Sequence, residues 1–208
     1  FKGKIAGIIH TINDSLSDVV QADKINVLYG QDYFYEELLG LKFRISPFSF
    51  FQTNSLGAEV LYSKAREYIF DGALEEGVES DKIVYDLYSG TGTIAQLIAP
   101  VAKKVIGVEI IEEAVVAARE NAKLAGVEKL IHFQRRGVEE LSHPKKYGFI
   151  ITNPPYGERL EDKEAIIPIY RDMKASFEKL PDFLDSPHEI IIFETKLKQL
   201  LKIVILNY

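Results

Sequence analysis

The chain has 208 residues and a mass of 23.5 kDa, enough for one domain with a small appendage, and its 47% apolar and 27% charged residues are ordinary globular proportions. Twenty-five basic against thirty-one acidic residues give a formal charge of −6, which excludes nucleic-acid binding by bulk charge and leaves only a local patch. Cysteine is absent, which excludes disulfides, thiolate metal sites, iron–sulfur clusters and thiol nucleophiles, and apolar runs such as Ile190 to Phe193 fall far short of the roughly 20 residues that cross a bilayer.

The chain begins at Phe1 without a basic-then-apolar leader, so a cytoplasmic protein is expected, and the missing initial Met suggests a fragment. Its opening reads as short strands separated by turn residues: Gly3 to His10, Asp18 to Gln21 and Asn26 to Tyr29, then a hairpin-like stretch from Tyr33 to Ile45 punctuated at Leu39-Gly40. This predicts a β-rich appendage over residues 1–53. From Asn54 the period becomes helical, with Leu56, Val60, Leu61, Ala65, Tyr68 and Ile69 at helical spacing and Asn54 or Ser55 as N-cap. Residues 54–208 then alternate. Strands are predicted at Ile83 to Tyr88, Val105 to Ile110, Leu130 to Gln134, Phe149 to Thr152, Glu189 to Phe193 and Lys202 to Leu206. Helices are predicted after Thr93, from Glu112 to Leu124 and from Ala165 to Leu180, and Ala114, Ala117, Ala118 and Ala122 suit close packing. Such alternation predicts an α/β, doubly wound, mostly parallel sheet, because parallel neighbours need crossovers. The connection from Thr195 to Leu201 is too short for more than two helical turns.

Asp86-Leu-Tyr-Ser-Gly90-Thr-Gly92-Thr93 leaves a strand and enters a helix. Its glycines permit positive φ and close approach of a ligand, and Asp86 can accept from an ammonium group. Gly90-Thr-Gly92-Thr-Ile-Ala95 also fits a dinucleotide pattern, but Asp86 suits a ligand with an amino group and no phosphate, such as S-adenosylmethionine. Glu109 ends the next strand, 19 residues after Gly90, where a carboxylate can take the ribose hydroxyls. The bland alternative is a tight turn with a solvated acid. Asn153-Pro154-Pro155-Tyr156 follows another strand. An exocyclic base amine is a poor nucleophile because its lone pair is delocalised. The Asn153 side-chain oxygen and the Pro154 carbonyl can accept both N–H bonds and orient that nitrogen, the prolines keep the carbonyl fixed, and Tyr156 can stack on a base lifted from its helix. A merely proline-stiffened loop is the alternative.

Together these motifs resemble the class I S-adenosylmethionine-dependent methyltransferases, which implies a Rossmann-like fold. Residues 1–130, through Leu41-Lys-Phe-Arg-Ile-Ser-Pro-Phe-Ser-Phe-Phe-Gln52-Thr-Asn54 and the Asp86 motif, resemble the RNA uracil-C5 methyltransferases, which implies that Phe51 and Gln52 lie beside cofactor and target base. Residues 131–180, through His132-Phe-Gln-Arg-Arg136, Leu141-Ser-His-Pro144 and Ile150-Ile-Thr-Asn-Pro-Pro-Tyr-Gly-Glu-Arg-Leu160, resemble the ribosomal-RNA guanine-N2 methyltransferases. The uracil family attacks C6 with a cysteine thiolate and carries Asp where Asn153 stands, so the resemblance to it implies no uracil chemistry in a chain without cysteine. The resemblance also implies an acceptor for the cofactor's adenine amino group after the third strand. Gly137 takes that place, leaving the Val138 N–H to meet the ring.

The expected activity is methyl transfer from S-adenosylmethionine to an exocyclic nitrogen of RNA, guanine N2 of ribosomal RNA before adenine N6. The candidate catalytic residues are Asn153, Pro154, Pro155 and Tyr156. The candidate cofactor contacts are Gln52, Asp86, Tyr88, Ser89, Gly90, Thr91, Gly92, Thr93, Glu109, Ile110, Gly137, Val138 and Asn153. No metal or membrane partner is expected, since His10, His132, His143 and His188 lack ligand spacing. Lys103-Lys104, Arg135-Arg136, Lys145-Lys146 and Arg159 read either as a phosphate-facing patch or as solvated loop ends, and Phe48, Phe50 and Phe51 as base-stacking or core. The rival functions are a cofactor- or RNA-binding fragment without turnover and a protein glutamine N-methyltransferase.

Overall fold

The computed structural model describes residues 4–12, 24–47, 49, 51–70, 82–141, 149–154, 167–173, 175, 189–194 and 202–205. Among these, β1 (Gly7–Ile12) pairs antiparallel with β2 (Lys24–Gly30), and β3 (Phe34–Leu38) pairs antiparallel with β4 (Leu41–Ile45) across a turn in which Leu39 and Gly40 both have positive φ. The expected strand at Asp18 to Gln21 lies outside the described residues. Helix α1 (Ser55–Phe70) starts where the period changes, and the Asn54 carbonyl of the side chain accepts the Gly57 N–H at 2.9 Å, capping its first turn.

A six-stranded sheet follows, built from β5 (Ile83–Leu87), β6 (Lys104–Glu109), β7 (Ile131–Arg135), β8 (Phe149–Thr152), β9 (Glu189–Glu194) and β10 (Lys202–Ile205) in the order β10-β9-β8-β5-β6-β7. Every neighbour is parallel except β10, which runs antiparallel to β9. That exception has a length argument behind it: the few residues from Thr195 to Leu201 cannot make the crossover that a parallel neighbour requires. Helix α2 (Thr93–Ile98) follows β5 and α3 (Glu112–Leu124) follows β6, while residues 167–173 are helical where a longer helix is predicted.

Successive side chains of the central strands serve opposite faces. Val84, Val105 and Ile151 join α1, α2 and α3 in one buried cluster, whereas Tyr85, Ile106 and Ile150 join Val138, Leu141 and Met173 in another. The first cluster also takes in Leu38, Phe43 and Ile45, so the β3–β4 hairpin buries its inner face against the helices of the sheet. Complete burial of such a side chain contributes about 1.5–3 kcal/mol. The Phe133 ring fills the space that a Cβ would need at both Gly92 and Gly107, at 2.6 and 2.4 Å, which brings α2, β6 and β7 close together. No helix among the described residues is long and apolar enough to cross a membrane.

Candidate functional site

Chain direction across the sheet reverses between β5 and β8: β5 leads to β6 and β7 on one side, β8 to β9 on the other. Ligands of open parallel sheets bind at such a reversal, outside the carboxyl ends of the strands. Here those ends open on a cavity of about 840 Å³, within the range of small-molecule sites.

The turn after β5 forms one wall. Tyr88 takes φ 57, a conformation that costs a side-chain-bearing residue about 1–2 kcal/mol, and Gly90 and Gly92 follow at φ 53 and 77. Hydrogen bonds hold this shape. The Ser89 N–H donates to the Val108 carbonyl at 3.0 Å and the Gly92 N–H to the Ser89 carbonyl at 2.8 Å. The Gln96 amide, fully buried, donates to the Gly92 carbonyl at 2.8 Å and to that of Thr91 at 3.3 Å. Glu109, at the end of β6, accepts the Gly90 N–H on one oxygen at 2.9 Å, and on the other the N–H groups of Ile110 and Ile111 at 2.8 and 2.9 Å. A carboxylate offers about four acceptor positions, so one remains for a ligand hydroxyl. On the other side, the Thr152 hydroxyl donates to the Leu87 carbonyl at 3.3 Å, which fixes Asn153 beside the turn.

The cavity brings together Gln52, Tyr88, Ser89, Gly90, Thr91, Thr93, Glu109, Ile110, Gly137, Val138, Asn153 and Pro154 from the sequence prediction. Gly92 and Asp86 do not line it. Gly92 packs on Phe133 beneath the turn, and Asp86 is wholly buried, with Oδ2 accepting the Ala95 N–H at 2.9 Å and Oδ1 unpartnered. Burial, opposed by that hydrogen bond and helped by the charge of Glu109, pushes the Asp86 carboxyl up to about 8. Pro155 and Tyr156 lie outside the described residues, as do Phe48, Phe50, His143, His188, Lys145, Lys146 and Arg159.

Several wall residues are additional to the prediction. Tyr62 of α1, absent from the residues predicted at helical spacing, reaches the cavity and shares a hydrogen bond with Gln52, while burial and the nearby Asp86 raise its hydroxyl pKa; it lies with Ala58, Ala65 and Ile69 on the buried face of α1, whereas Leu56 and Val60 of the predicted set are exposed. Ala114 and Ala117 face the cavity and only Ala118 and Ala122 are buried in the core, so the predicted packing stripe of α3 divides between two roles. Phe51 packs against the core, its ring 5.9 Å from that of Phe43, and also lines the cavity. Arg136 is a wall residue too, whereas Arg135 pairs with Glu112 at 3.1 Å on the surface. The Glu139 carboxylate occupies the space that a Cβ on Gly137 would need, so an acidic group stands at the position where the sequence places only glycine. With Glu109, Glu113, Glu139 and Asp172 on its walls against Arg136, the cavity favours a cation. Burial and the charges of Glu139 and Asp172 raise the Tyr88 hydroxyl to about 12, so it remains a neutral donor. No cluster of three or more His, Asp or Glu with metal-binding geometry occurs among the described residues.

Residues 74–198 match the family described as RMKL-like, methyltransferase domain. The chain belongs to that family. An uncharacterized RNA methyltransferase of Clostridium tetani is 65% identical over 124 residues, which is 60% of this chain and 26% of that protein. A second, from Caldanaerobacter subterraneus subsp. tengcongensis, is 49% identical over 156 residues, 74% of this chain and 33% of its own. The chain thus spans about a quarter to a third of these relatives. Among solved structures, the Pyrococcus abyssi tRNA (uracil-54, C5)-methyltransferase in complex with S-adenosyl-L-homocysteine superposes with a TM-score of 0.65 at 25% identity, over 92% of this chain and 42% of that one.

Proposed function

We propose that this methyltransferase domain binds S-adenosylmethionine and acts on RNA, methylating an exocyclic base nitrogen, guanine N2 of ribosomal RNA in the first place. The observation that carries the reading is the placement of Asn153 and Pro154 in the same cavity wall system as Glu109 and the Tyr88–Thr93 turn. The acidic walls suit a sulfonium and an ammonium group, Glu109 keeps one acceptor position for a ribose hydroxyl, and Glu139 stands ready for an amino group of the adenine. Exposed Ile110 and buried Val138 supply apolar surface for the ring. Asp86 acts from behind the turn, holding the first turn of α2 through Ala95. When bound, the cofactor supplies an electrophilic methyl group.

The chain's own part is to orient the acceptor nitrogen. The Asn153 side-chain oxygen and the Pro154 carbonyl accept its two N–H bonds, Pro155 stiffens that carbonyl and Tyr156 stacks on the base. Amine transfer of this kind needs no covalent enzyme adduct. This chain contains no cysteine, and the proposed transfer needs none. In this reading residues 54–208 form the catalytic domain and residues 1–53 an appendage, of which the β3–β4 hairpin is docked on α1 and α3.

Calorimetry with S-adenosylmethionine, S-adenosylhomocysteine and NAD tests the cofactor, and nucleoside mass analysis of unmodified ribosomal RNA after incubation tests the product. N2-methylguanosine is expected. Preferential NAD binding overturns the cofactor assignment, and label transferred to glutamine of a protein fraction instead of RNA overturns the substrate.

A further inference from the structure

We propose that the outer face of the β3–β4 hairpin is a docking surface for single-stranded RNA, on which Tyr33 and Tyr35 stack on bases while Lys42 and Arg44 meet the phosphates. The inference rests on the RNA methyltransferase reading above and names where the strand lies outside the cavity.

The hairpin register sets the face. Leu38, Phe43 and Ile45 turn inward to the core, so alternation puts Tyr35 and Glu37 outward on β3, opposite Arg44 and Lys42, with Tyr33 two residues before Tyr35. The side chains interleave: Lys42 Nζ lies 4.0 Å from the Tyr35 ring centroid and Arg44 Cζ lies 4.1 Å from that of Tyr33. The two rings meet edge to face, 5.5 Å apart at 75°. Tyr35 is 45% exposed, so its ring is open to a ligand. Aromatic rings alternating with cations provide the two things a nucleic-acid strand needs, a sequence-tolerant stacking platform and counterions for its backbone. A protein partner is a poorer match, since the centre of a protein interface is depleted of lysine and other charges.

The carboxylates on or near this face do not oppose the assignment. Arg44 pairs with Glu120 at 3.4 Å, and both side chains are about half exposed, so the pair is weak and a phosphate can replace it. Glu37 stands opposite Lys42 and steers an anionic strand toward the Tyr33–Arg44 end.

That end leads to the cavity. β4 continues into Ser46 and Ser49, whose hydroxyls are 2.7 Å apart, and then into Phe51 and Gln52, and all four residues line the cavity wall. The platform is also rigid. Asn121 of α3, almost fully buried, accepts the Arg44 N–H at 2.8 Å and donates to the Arg44 carbonyl at 3.1 Å, so the strand bearing the cations is clamped to the helix that follows Glu109. A strand stacked on the hairpin is thereby held in a fixed relation to the site of its target base.

The test measures fluorescence anisotropy of a short fluorescein-labelled single-stranded RNA of mixed sequence, over a salt series, together with S-adenosylhomocysteine affinity and nucleoside analysis. Tyr35→Ala should weaken RNA binding roughly tenfold while Tyr35→Phe retains it. Lys42→Gln combined with Arg44→Gln should lower the salt slope by about 1.4, at roughly 0.7 per lost phosphate contact. Cofactor affinity should stay unchanged in each variant, which certifies the fold. Variants that bind RNA as the parent does, or a parent that binds none, overturn the docking surface whatever the methylated product is. An unexpected product with these variant effects intact overturns the guanine assignment and leaves the surface standing. Equal affinity of parent and Tyr35→Ala, with equal affinity for inorganic polyphosphate, reduces the face to charge attraction and overturns the stacking platform.

Discussion

The Glu109 carboxylate and the Gly90 N–H, 19 residues apart in the chain, meet at 2.9 Å and join the ends of β5 and β6 into one cavity wall. Because the other carboxylate oxygen accepts from Ile110 and Ile111, Glu109 shapes the wall before any ligand arrives. Glu109→Ala should therefore cost about 2–3 kcal/mol of S-adenosylhomocysteine affinity by calorimetry, part of it from a loosened turn. Unchanged affinity in a folded variant would place the ribose elsewhere.

Two glycines of the same turn should respond differently to alanine. Gly90 has φ 53 but open space around a would-be Cβ, so Gly90→Ala should cost only the backbone term, about 1–2 kcal/mol. Gly92 has φ 77 and a Cβ there would lie 2.6 Å from the Phe133 ring and 3.0 Å from Ala118, so Gly92→Ala adds overpacking of a further 1–3 kcal/mol or so. Denaturant midpoints of the two variants check the order. Equal losses would remove the close-packing role given to Gly92.

The strand and helix pattern was legible because it is written locally: Ile83-Val-Tyr-Asp-Leu87 is buried on both faces, and Gly126 has the left-handed conformation that ends α3. The glycine turn, Glu109 and Asn153 were legible because their chemistry is tied to strand ends. Tyr62 and Glu139 were not. Tyr62 shares the buried face of α1 with Ala58, Ala65 and Ile69, where one cavity-facing ring has the same signature as core. Glu139 became visible only because a 3-10 turn from Val138 to Glu140 folds its carboxylate back over Gly137. Asp86 illustrates the opposite error of scale: its position at the strand end was clear, but the depth that hides it from the cavity is a property of the assembled sheet and of α2.

Glu139→Gln follows from that geometry. If its carboxylate accepts from the adenine amino group, replacing half of it by a donor should weaken S-adenosylhomocysteine by about 1–2 kcal/mol, with a smaller effect on an analogue lacking the amino group. Equal losses for both ligands would make Glu139 a general electrostatic group.

Asp86 predicts a pH signature of stability. Its folded-state pKa of about 8 exceeds the ordinary carboxylate value, so between the two the folded protein holds a proton that the unfolded chain has released. Stability from this group is complete below the ordinary carboxylate range and is lost as pH rises to about 8. Asp86→Asn should flatten that part of the melting profile and gain on the parent at pH 8 by an amount on the order of a few kcal/mol, less whatever the weaker hydrogen bond to Ala95 costs. Parallel slopes for parent and variant would show that Asp86 is ionised throughout.

Asn153 separates an enzyme from a binding fragment. The Thr152 hydroxyl bond to Leu87 fixes the backbone here independently of the Asn153 side chain, so Asn153→Ala should fold and bind S-adenosylmethionine within a few-fold of the parent. Its side-chain oxygen is assigned to the acceptor amine, and loss of one oriented partner in a preorganised site typically costs about 10²–10³ in rate. Methyl transfer to unmodified ribosomal RNA, followed by nucleoside mass analysis of parent and variant together, measures this. A fall in kcat at nearly constant cofactor affinity locates the residue on the reacting nitrogen, whereas a fall in cofactor affinity alone would move it to the cofactor side of the cavity. Equal turnover would make the Asn-Pro-Pro turn a structural loop. If parent and variant both bind cofactor and neither transfers a methyl group, the domain holds its cofactor and depends on other parts of a longer protein for catalysis.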